Sequence, residues 1–415
     1  MGAKVLFFSE NSIVLVFFFV FLHPSLSIKE PLNTLDFIRL HANDDVRQLA
    51  LRGTKDPEVN LTYALEQIAG RQKARTKLPS WAAIEGIVYP PHLSMEQCSS
   101  EQTAHYKASI AGKGQRVVDL TAGFGVDMAF ISQGFQKAVH VEQQELLCTI
   151  SSANYQLLGL NHIEVVCGNG VEYLHQMEHA DLIFIDPARR DEHGGRTYGI
   201  ADCTPNILEI ADEMLEKADR VMLKLSPMLD WRKAVGDLNN VNEVHIVSVD
   251  NECKELLLIL SKMSTPLRIF CVNNDEVFEY SLEEPVNHIS PIPHTPLYLF
   301  EPNASIMKAG CFELVEQRFE VAQLDRNSHL FVSDTEKNSF PGRQLIIERR
   351  TSMNKRELKE ALGDIDKANL AVRNFPMTVA ELRKRLKLKE GGDVYIFATT
   401  VANEGHQLFV CRKKS

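Results

Sequence analysis

Two rhythms of hydrophobic and polar positions run along this chain. Between Arg116 and Lys262 the short apolar runs RVVDL, KAVHVE, IEVVC, DLIFID, RVMLKLS, VHIVSV and ELLLIL read as strands. Among them, ELLCTISSANYQLLGL, GVEYLHQM and TPNILEIADEMLEKA carry apolar residues at three- and four-residue steps, the period of a helix with one buried face. Strands and helices in regular alternation build βαβ units. The expected core is therefore α/β, a doubly wound, mainly parallel seven-stranded sheet over residues 98–264. Its last two strands, joined by Asp250 to Lys254, are close enough for an antiparallel hairpin. In such sheets ligands sit at the carboxyl ends of the strands.

The pattern is helical from residue 29 to 97, where Leu35, Ile38, Val46, Leu49, Leu61, Leu65 and Ile68 recur at helical spacing, punctuated by Pro57, Pro79, Pro90 and Pro91. Arg71, Lys73, Arg75 and Lys77 form a basic cluster, either a solvated helix end or an RNA contact. Ser99, Ser100, Glu101 and Gln102 supply a capping start for a helix reaching Ala111. Beyond Pro266 come a hairpin turning at Asn273, Asn274 and Asp275, a proline-rich stretch from Pro285 to Pro302, and a helix from about Ala304 to Gln317. Two small α+β domains are expected here, at 265–319 and 320–415.

The first 28 residues stand apart. Ile13 to Leu22 is a ten-residue apolar run, too short to span a bilayer. It reads as the apolar part of a secretion signal or as an extension from a start placed too early, with the mature chain beginning near Lys29. The 415 residues as a whole, 44% hydrophobic and 24% charged, have the composition of a globular protein of two or three domains. A net charge of -10 argues against a protein that coats DNA, although a local basic face can still bind nucleic acid. Eight scattered cysteines without a C-x-x-C pair suit a reducing, cytoplasmic setting without structural zinc. Neither a metal nor a membrane partner is expected of the mature chain.

Candidate chemistry gathers at the strand ends. In VVDLTAGFGVDMAF an apolar strand reaches Asp119 and a Gly-x-Gly turn follows before a helix-like segment. Gly123 and Gly125 permit positive φ and close approach of the backbone to a ligand. Met128 stands where a dinucleotide fingerprint wants a third glycine, which disfavours a pyrophosphate cofactor. Glu142 ends the second strand, nineteen residues beyond Gly123, where an acidic residue accepts hydrogen bonds from ribose hydroxyls. Asp119 is placed to face a charged amino group, and Asn169, after the third strand, to accept a hydrogen bond from an adenine amine. In DLIFIDPARR, Asp186 and Pro187 end the fourth strand. A carboxylate and a rigid carbonyl there can accept from an exocyclic amine and orient its lone pair for attack. Arg189 and Arg190 follow, either as phosphate contacts or as solvated arginines of a loop.

Taken together, VVDLTAGFGVDMAF, Glu142 and IDPARR resemble a class I S-adenosylmethionine-dependent methyltransferase of Rossmann-like fold. The stretch SSEQTAHYKASIAGKGQRVVDLTAGFGVD, which leads into the first strand, is similar to that of the RNA cap guanine-N2 methyltransferase group, and the likeness covers roughly Ser99 to Lys262. That group carries a second proline and a tryptophan after its fourth-strand motif, where this chain has Ala188 and Arg189. The resemblance implies S-adenosyl-L-methionine as cofactor, held by Asp119, Thr121, Ala122, Gly123, Gly125, Glu142 and Asn169, with Asp186 and Pro187 catalytic. The tail, with KANLAVRNFPMTVAELRKRLKLKEGGDVYIFATT, resembles the THUMP-like domain found behind bacterial methyltransferases of this type, and Leu267 to about Phe319 the small ferredoxin-like domain before it. THUMP domains proper bind RNA, so the resemblance implies an rRNA or tRNA partner.

The residues of the tail agree with such a partner. Between Arg343 and Lys389 there are 13 Lys and Arg against 6 Asp and Glu, a local excess of +7. Thr378 and Glu381 form a capping box, Val379, Leu382 and Leu386 an apolar stripe, and Arg383, Lys384 and Arg385 a basic face suited to phosphate. A merely solvated face is the other reading of it. Pyrimidine C5 methylation needs a cysteine nucleophile, and Ser226 stands before Pro227 where related enzymes carry one, so amine methylation ranks higher. The leading expectation is a methyltransferase acting on a base nitrogen of RNA. A methyltransferase for a small molecule or protein, and an RNA-binding protein that keeps the fold without turnover, are the alternatives.

Overall fold

The computed structural model describes residues 32–189, 199–287 and 290–413. The apolar segment 1–28 and Arg190 lie outside the described residues, as does the side chain of Arg189.

Short helices open the described chain: α1 (Leu32–Leu40), α2 (Val46–Arg52), α3 (Leu61–Lys77), α4 (Pro79–Ala82), α5 (His92–Gln97) and α6 (Glu101–Ala111). Asn60 caps α3 through Tyr63 N–H at 3.2 Å. The helix then buries Ala64, Ile68 and Ala74, a helical stripe. Ser100 caps α6 through Thr103 N–H at 3.2 Å, as the sequence predicts. The basic cluster of α3 has local partners: Lys73 pairs with Glu96 at 3.0 Å, Arg75 donates to Asn43 at 2.7 Å, and Lys77 donates to the carbonyls of Met95 and Glu96.

The βαβ region follows the expected alternation. It runs β1 (Gly114–Asp119), α7 (Val126–Ile131), β2 (Phe135–Glu142), α8 (Glu145–Leu157), β3 (Ile163–Cys167), α9 (Gly170–Gln176), β4 (Ala180–Ile185), β5 (Ala188–Arg189), β6 (Cys203–Thr204), α10 (Ile207–Lys217), β7 (Ala218–Leu225) and α11 (Trp231–Asp237). Then come β8 (Val241–Val249), β9 (Glu252–Leu260), β10 (Arg268–Asn273) and β11 (Glu276–Ser281). The strands order as β11-β10-β8-β9-β7-β4-β1-β2-β3, so the seven expected strands are present and the hairpin β10–β11 extends them. Pairing is parallel for β1 with β2 and β4, for β2 with β3, and for β4 with β7. Their registers bring Asp119, Glu142, Cys167 and Ile185 to one edge, the carboxyl ends. Between β8 and β9, Asp250 and Asn251 have φ of 50° and 61°, the positive pair that a tight hairpin turn requires. Asn274, at φ 54°, makes the predicted turn of β10–β11.

The chain divides into two compact units, one holding β1–β7, the other holding β10–β18. The second unit continues with β12 (Tyr298–Pro302), α12 (Ala304–Ala309), α13 (Phe312–Phe319), β13 (Ala322–Gln323), β14 (Phe331–Ser333), β15 (Gly342–Ser352), α14 (Lys355–Leu362), β16 (Asn369–Arg373), α15 (Val379–Leu386), β17 (Val394–Val401) and β18 (Gly405–Lys413). Its sheet orders as β13-β14-β12-β15-β18-β17-β16. The single helix expected from about Ala304 to Gln317 is two, because Gly310 at φ 69° ends α12 in the left-handed conformation. Leu362 of α14 and Leu382 of α15 share one core with Ile396, Ala398, Leu408 and Val410 of β17 and β18. The capping box of Thr378 and Glu381 forms as expected.

Candidate active site

The loop after β1 is threaded between its neighbours by its own backbone. Leu120 N–H donates to the Phe184 carbonyl at 3.1 Å and Ala122 N–H to that of Val141 at 2.9 Å. Gly123 and Gly125 both have positive φ, 56° and 84°. At Gly123 a Cβ would meet nothing within 4 Å, so the loop presents open space there. At Gly125 a Cβ would lie 2.2 Å from Tyr155 Oη, and the glycine is required sterically as well as by its φ. Tyr155 Oη donates to the Gly125 carbonyl at 3.0 Å, and its 2.8 Å contact with His140 Nδ1 then makes the imidazole the donor. Burial drives His140 down to about 3, so the ring is neutral. Phe124, between the two glycines, packs edge-on against Trp81 with ring centroids 5.1 Å apart.

Glu142 closes the loop from β2. One carboxylate oxygen accepts from Gly123 N–H at 3.0 Å and the other from Gln144 N–H at 2.7 Å. Each oxygen keeps a further lone pair. Asn169 caps α9, its Oδ1 accepting from Val171 N–H at 2.8 Å and Glu172 N–H at 3.3 Å. The expected acceptor atom is thus already engaged, and the amide NH2 is the group left to offer a ligand. Asp119 is buried, with Oδ1 accepting from Thr121 N–H at 2.9 Å. Burial pushes its carboxyl well above the usual range against that N–H, and Asp127 and Asp186 add to the rise. Thr121 reaches the other way, its hydroxyl accepting from Asp186 N–H at 2.7 Å.

Asp186 and Pro187 follow β4 directly, Pro187 buried and the Asp186 side chain 38% exposed. Asp186 Oδ2 lies 2.6 Å from Lys224 Nζ, at the end of neighbouring β7. Lys224 also stands 3.6 Å from Asp127, which has Lys107 at 3.2 Å and accepts from the Ser99 hydroxyl at 2.7 Å. Burial works against the Asp127 carboxylate, but Lys107 and Lys224 outweigh it and hold the group below the usual range. Sequence reasoning misses this network. Its signal is a charged residue inside an apolar run, Lys224 in VMLKLS and Asp127 in GVDMAF, each of which must find a partner when buried.

The predicted phosphate contacts divide. The backbone of Arg189 pairs with Cys203 in the small ladder β5–β6. On α15, Lys384 and Arg385 are exposed, whereas Arg383 is half-buried and donates to the Ala368 carbonyl at 3.0 Å. Among the described residues no group of three or more His, Cys, Asp or Glu side chains is arranged to hold a metal ion. No helix among them is long and apolar enough to cross a membrane.

A solved structure from Porphyromonas gingivalis W83, a proposed methyltransferase, matches this chain at 31% identity over 94% of its length and 99% of the other, with a TM-score of 0.83. The chain belongs to that family, the class I S-adenosylmethionine-dependent methyltransferases with a C-terminal THUMP-like domain. Domain models match this methyltransferase at residues 298–341, ferredoxin-like, and 342–413, THUMP domain-like. An rRNA methylase from Streptococcus thermophilus is 18% identical over 39% of this chain and 96% of its own, with a TM-score of 0.30. TrmK from M. capricolum, bound to S-adenosyl-homocysteine, is 14% identical over 39% of this chain and 67% of its own, also at 0.30. No curated protein matches the methyltransferase.

Proposed function

We propose that this methyltransferase uses S-adenosyl-L-methionine to methylate a base nitrogen of rRNA or tRNA in the cytoplasm. The residues present fit such a donor: the loop is open at Gly123, whose N–H donates to the Glu142 carboxylate, and the remaining lone pairs of that carboxylate suit two ribose hydroxyls. The Asn169 amide NH2 suits an adenine ring nitrogen, a donor in place of the acceptor that the sequence suggests. When bound, the donor supplies an electrophilic methyl group.

The observation that carries the reading is Asp186. Its N–H is fixed by Thr121 and one oxygen by Lys224, while the side chain stays 38% exposed beside a buried proline. A carboxylate so held accepts from an acceptor N–H and turns the nitrogen lone pair toward the methyl group, an effect of positioning that needs no covalent intermediate. The Pro187 carbonyl serves as a second acceptor. Arg189 and Arg190, next in the chain after Ala188, and the exposed Lys384 and Arg385 of the THUMP-like domain are assigned to RNA phosphates, whereas Arg383 is held by the Ala368 carbonyl.

Titration calorimetry tests the donor: no binding at roughly 1 mM, the equivalent of about -4 kcal/mol, sinks the reading. Radiolabelled methyl transfer to unmodified rRNA and tRNA transcripts tests the acceptor. The net charge of -10 favours a second reading, a small-molecule or protein acceptor, which failure of the transcripts and success of a metabolite or peptide selects. Mass spectrometry of nucleosides from a strain lacking the gene names the target through one missing methylated nucleoside.

A further inference from the structure

The ion pair at the end of β4 and β7 is more than Asp127 needs. Asp127 already has Lys107 at 3.2 Å and the Ser99 hydroxyl at 2.7 Å, yet Lys224 stands near it as well, 3.6 Å away and 2.6 Å from Asp186. The Lys224 side chain is 12% exposed and that of Asp186 38%, so a sheltered ammonium backs a carboxylate that faces outward. Charges withdrawn from water this far return little stability, and apolar side chains of similar size commonly do as well in their place. What a fixed cation does change is the company the carboxylate accepts. A protonated alkyl amine approaching Asp186 meets a like charge already bound to it, held in place from the sheltered side. An uncharged ring amine meets no such repulsion.

We propose that Lys224 is a specificity-determining residue that reserves Asp186 for an uncharged amine, of the kind carried on a nucleobase ring, and turns away cationic amines such as a protein lysine. This rests on the reading of Asp186 as the group that meets the acceptor, and it bears on the choice between RNA and protein substrates. Lys224 needs no contact with the cofactor to act in this way. The charge it carries is what matters, so arginine is an adequate substitute and methionine is not.

The test requires no knowledge of the acceptor. Sinefungin carries a protonated amine where the donor carries its methyl group, and S-adenosylhomocysteine carries nothing there. Both are titrated calorimetrically into the full chain, as wild type, Lys224→Met, Lys224→Arg and Asp186→Asn. Lys224→Met is expected to bind sinefungin roughly ten-fold more tightly than wild type and S-adenosylhomocysteine about equally. Lys224→Arg stays close to wild type, and Asp186→Asn weakens sinefungin roughly ten-fold. An unchanged affinity ratio of the two ligands in Lys224→Met overturns the inference and leaves the methyltransferase reading standing. If wild type binds no S-adenosylhomocysteine, the cofactor reading falls and this inference with it. Should Lys224→Met fail to fold, Lys224→Gln takes its place with the same expected change, and an unmoved ratio there is equally fatal.

Discussion

Tyr155 Oη donates to the Gly125 carbonyl at 3.0 Å and occupies the space, 2.2 Å away, where a side chain on that glycine would begin. The contact makes Gly125→Ala doubly unfavourable, through its φ of 84° and through the phenol. A loss of at least ~2 kcal/mol in stability is expected from denaturant titration, together with loss of donor binding. Tyr155→Phe leaves the Gly125 carbonyl and His140 Nδ1 without their partner, and is expected to cost about 1–3 kcal/mol.

His140 predicts acid lability. Its folded value of about 3 lies below the ordinary value of 6.5, so its contribution is complete above pH 6.5 and is lost as the pH falls toward 3. Each unit in that window removes about 1.4 kcal/mol. Urea midpoints from pH 7 to 4.5 fall more steeply for wild type than for His140→Gln. Equal slopes would show that the imidazole does not titrate in this way.

Asp119 has the opposite sign. Its raised folded value means that its contribution is present in full at low pH and lost as the pH rises through that value. Asp119→Asn keeps an acceptor for Thr121 N–H and removes the titration. The variant is expected to lose less stability than wild type as the pH rises, and thermal melting at a series of pH values measures it.

Glu142 ties two backbone N–H groups with one carboxylate. In Glu142→Ala the N–H groups of Gly123 and Gln144 lose their acceptor, and the loop loses its shape as well as its charge. Calorimetry is expected to read a loss of roughly 1.5–3 kcal/mol in donor affinity. Glu142→Gln keeps one acceptor oxygen and falls between.

On α15 the charges separate by role. Lys384→Ala and Arg385→Ala are expected to leave melting unchanged, to weaken RNA binding uniformly across sequences, and to lower the salt slope by about one each. Arg383→Ala removes the donor to the Ala368 carbonyl and is expected to cost about 1 kcal/mol of stability. RNA affinity at several salt concentrations, with melting on the same samples, distinguishes the two outcomes.

How much of this is legible in the chain depends on the range of the interaction. Caps at Ser100 and Thr378, turns at Asp250 and Asn274, and the two loop glycines are local events that residue type announces within a few positions. Parallel pairing follows from the βαβ alternation, because parallel neighbours need a crossover between them, whereas the order of the strands is not announced by it. The Lys107, Asp127 and Lys224 network joins three elements that only the folded sheet brings together, and the oddity of a lysine in an apolar strand does not name its partner. Arg383 likewise looks like its two neighbours in sequence and differs only in what lies behind it. Gly310 is a helix breaker that an uninterrupted apolar pattern conceals.

Phe124 stands between the two positive-φ glycines and leans on Trp81, a residue of the helical region more than forty positions earlier. During synthesis the amino-terminal helices emerge before the loop they support, so the prop precedes what it props. The helices are thus a foundation laid ahead of the sheet, and a fragment that begins at the first strand lacks the wall against which its donor loop sets.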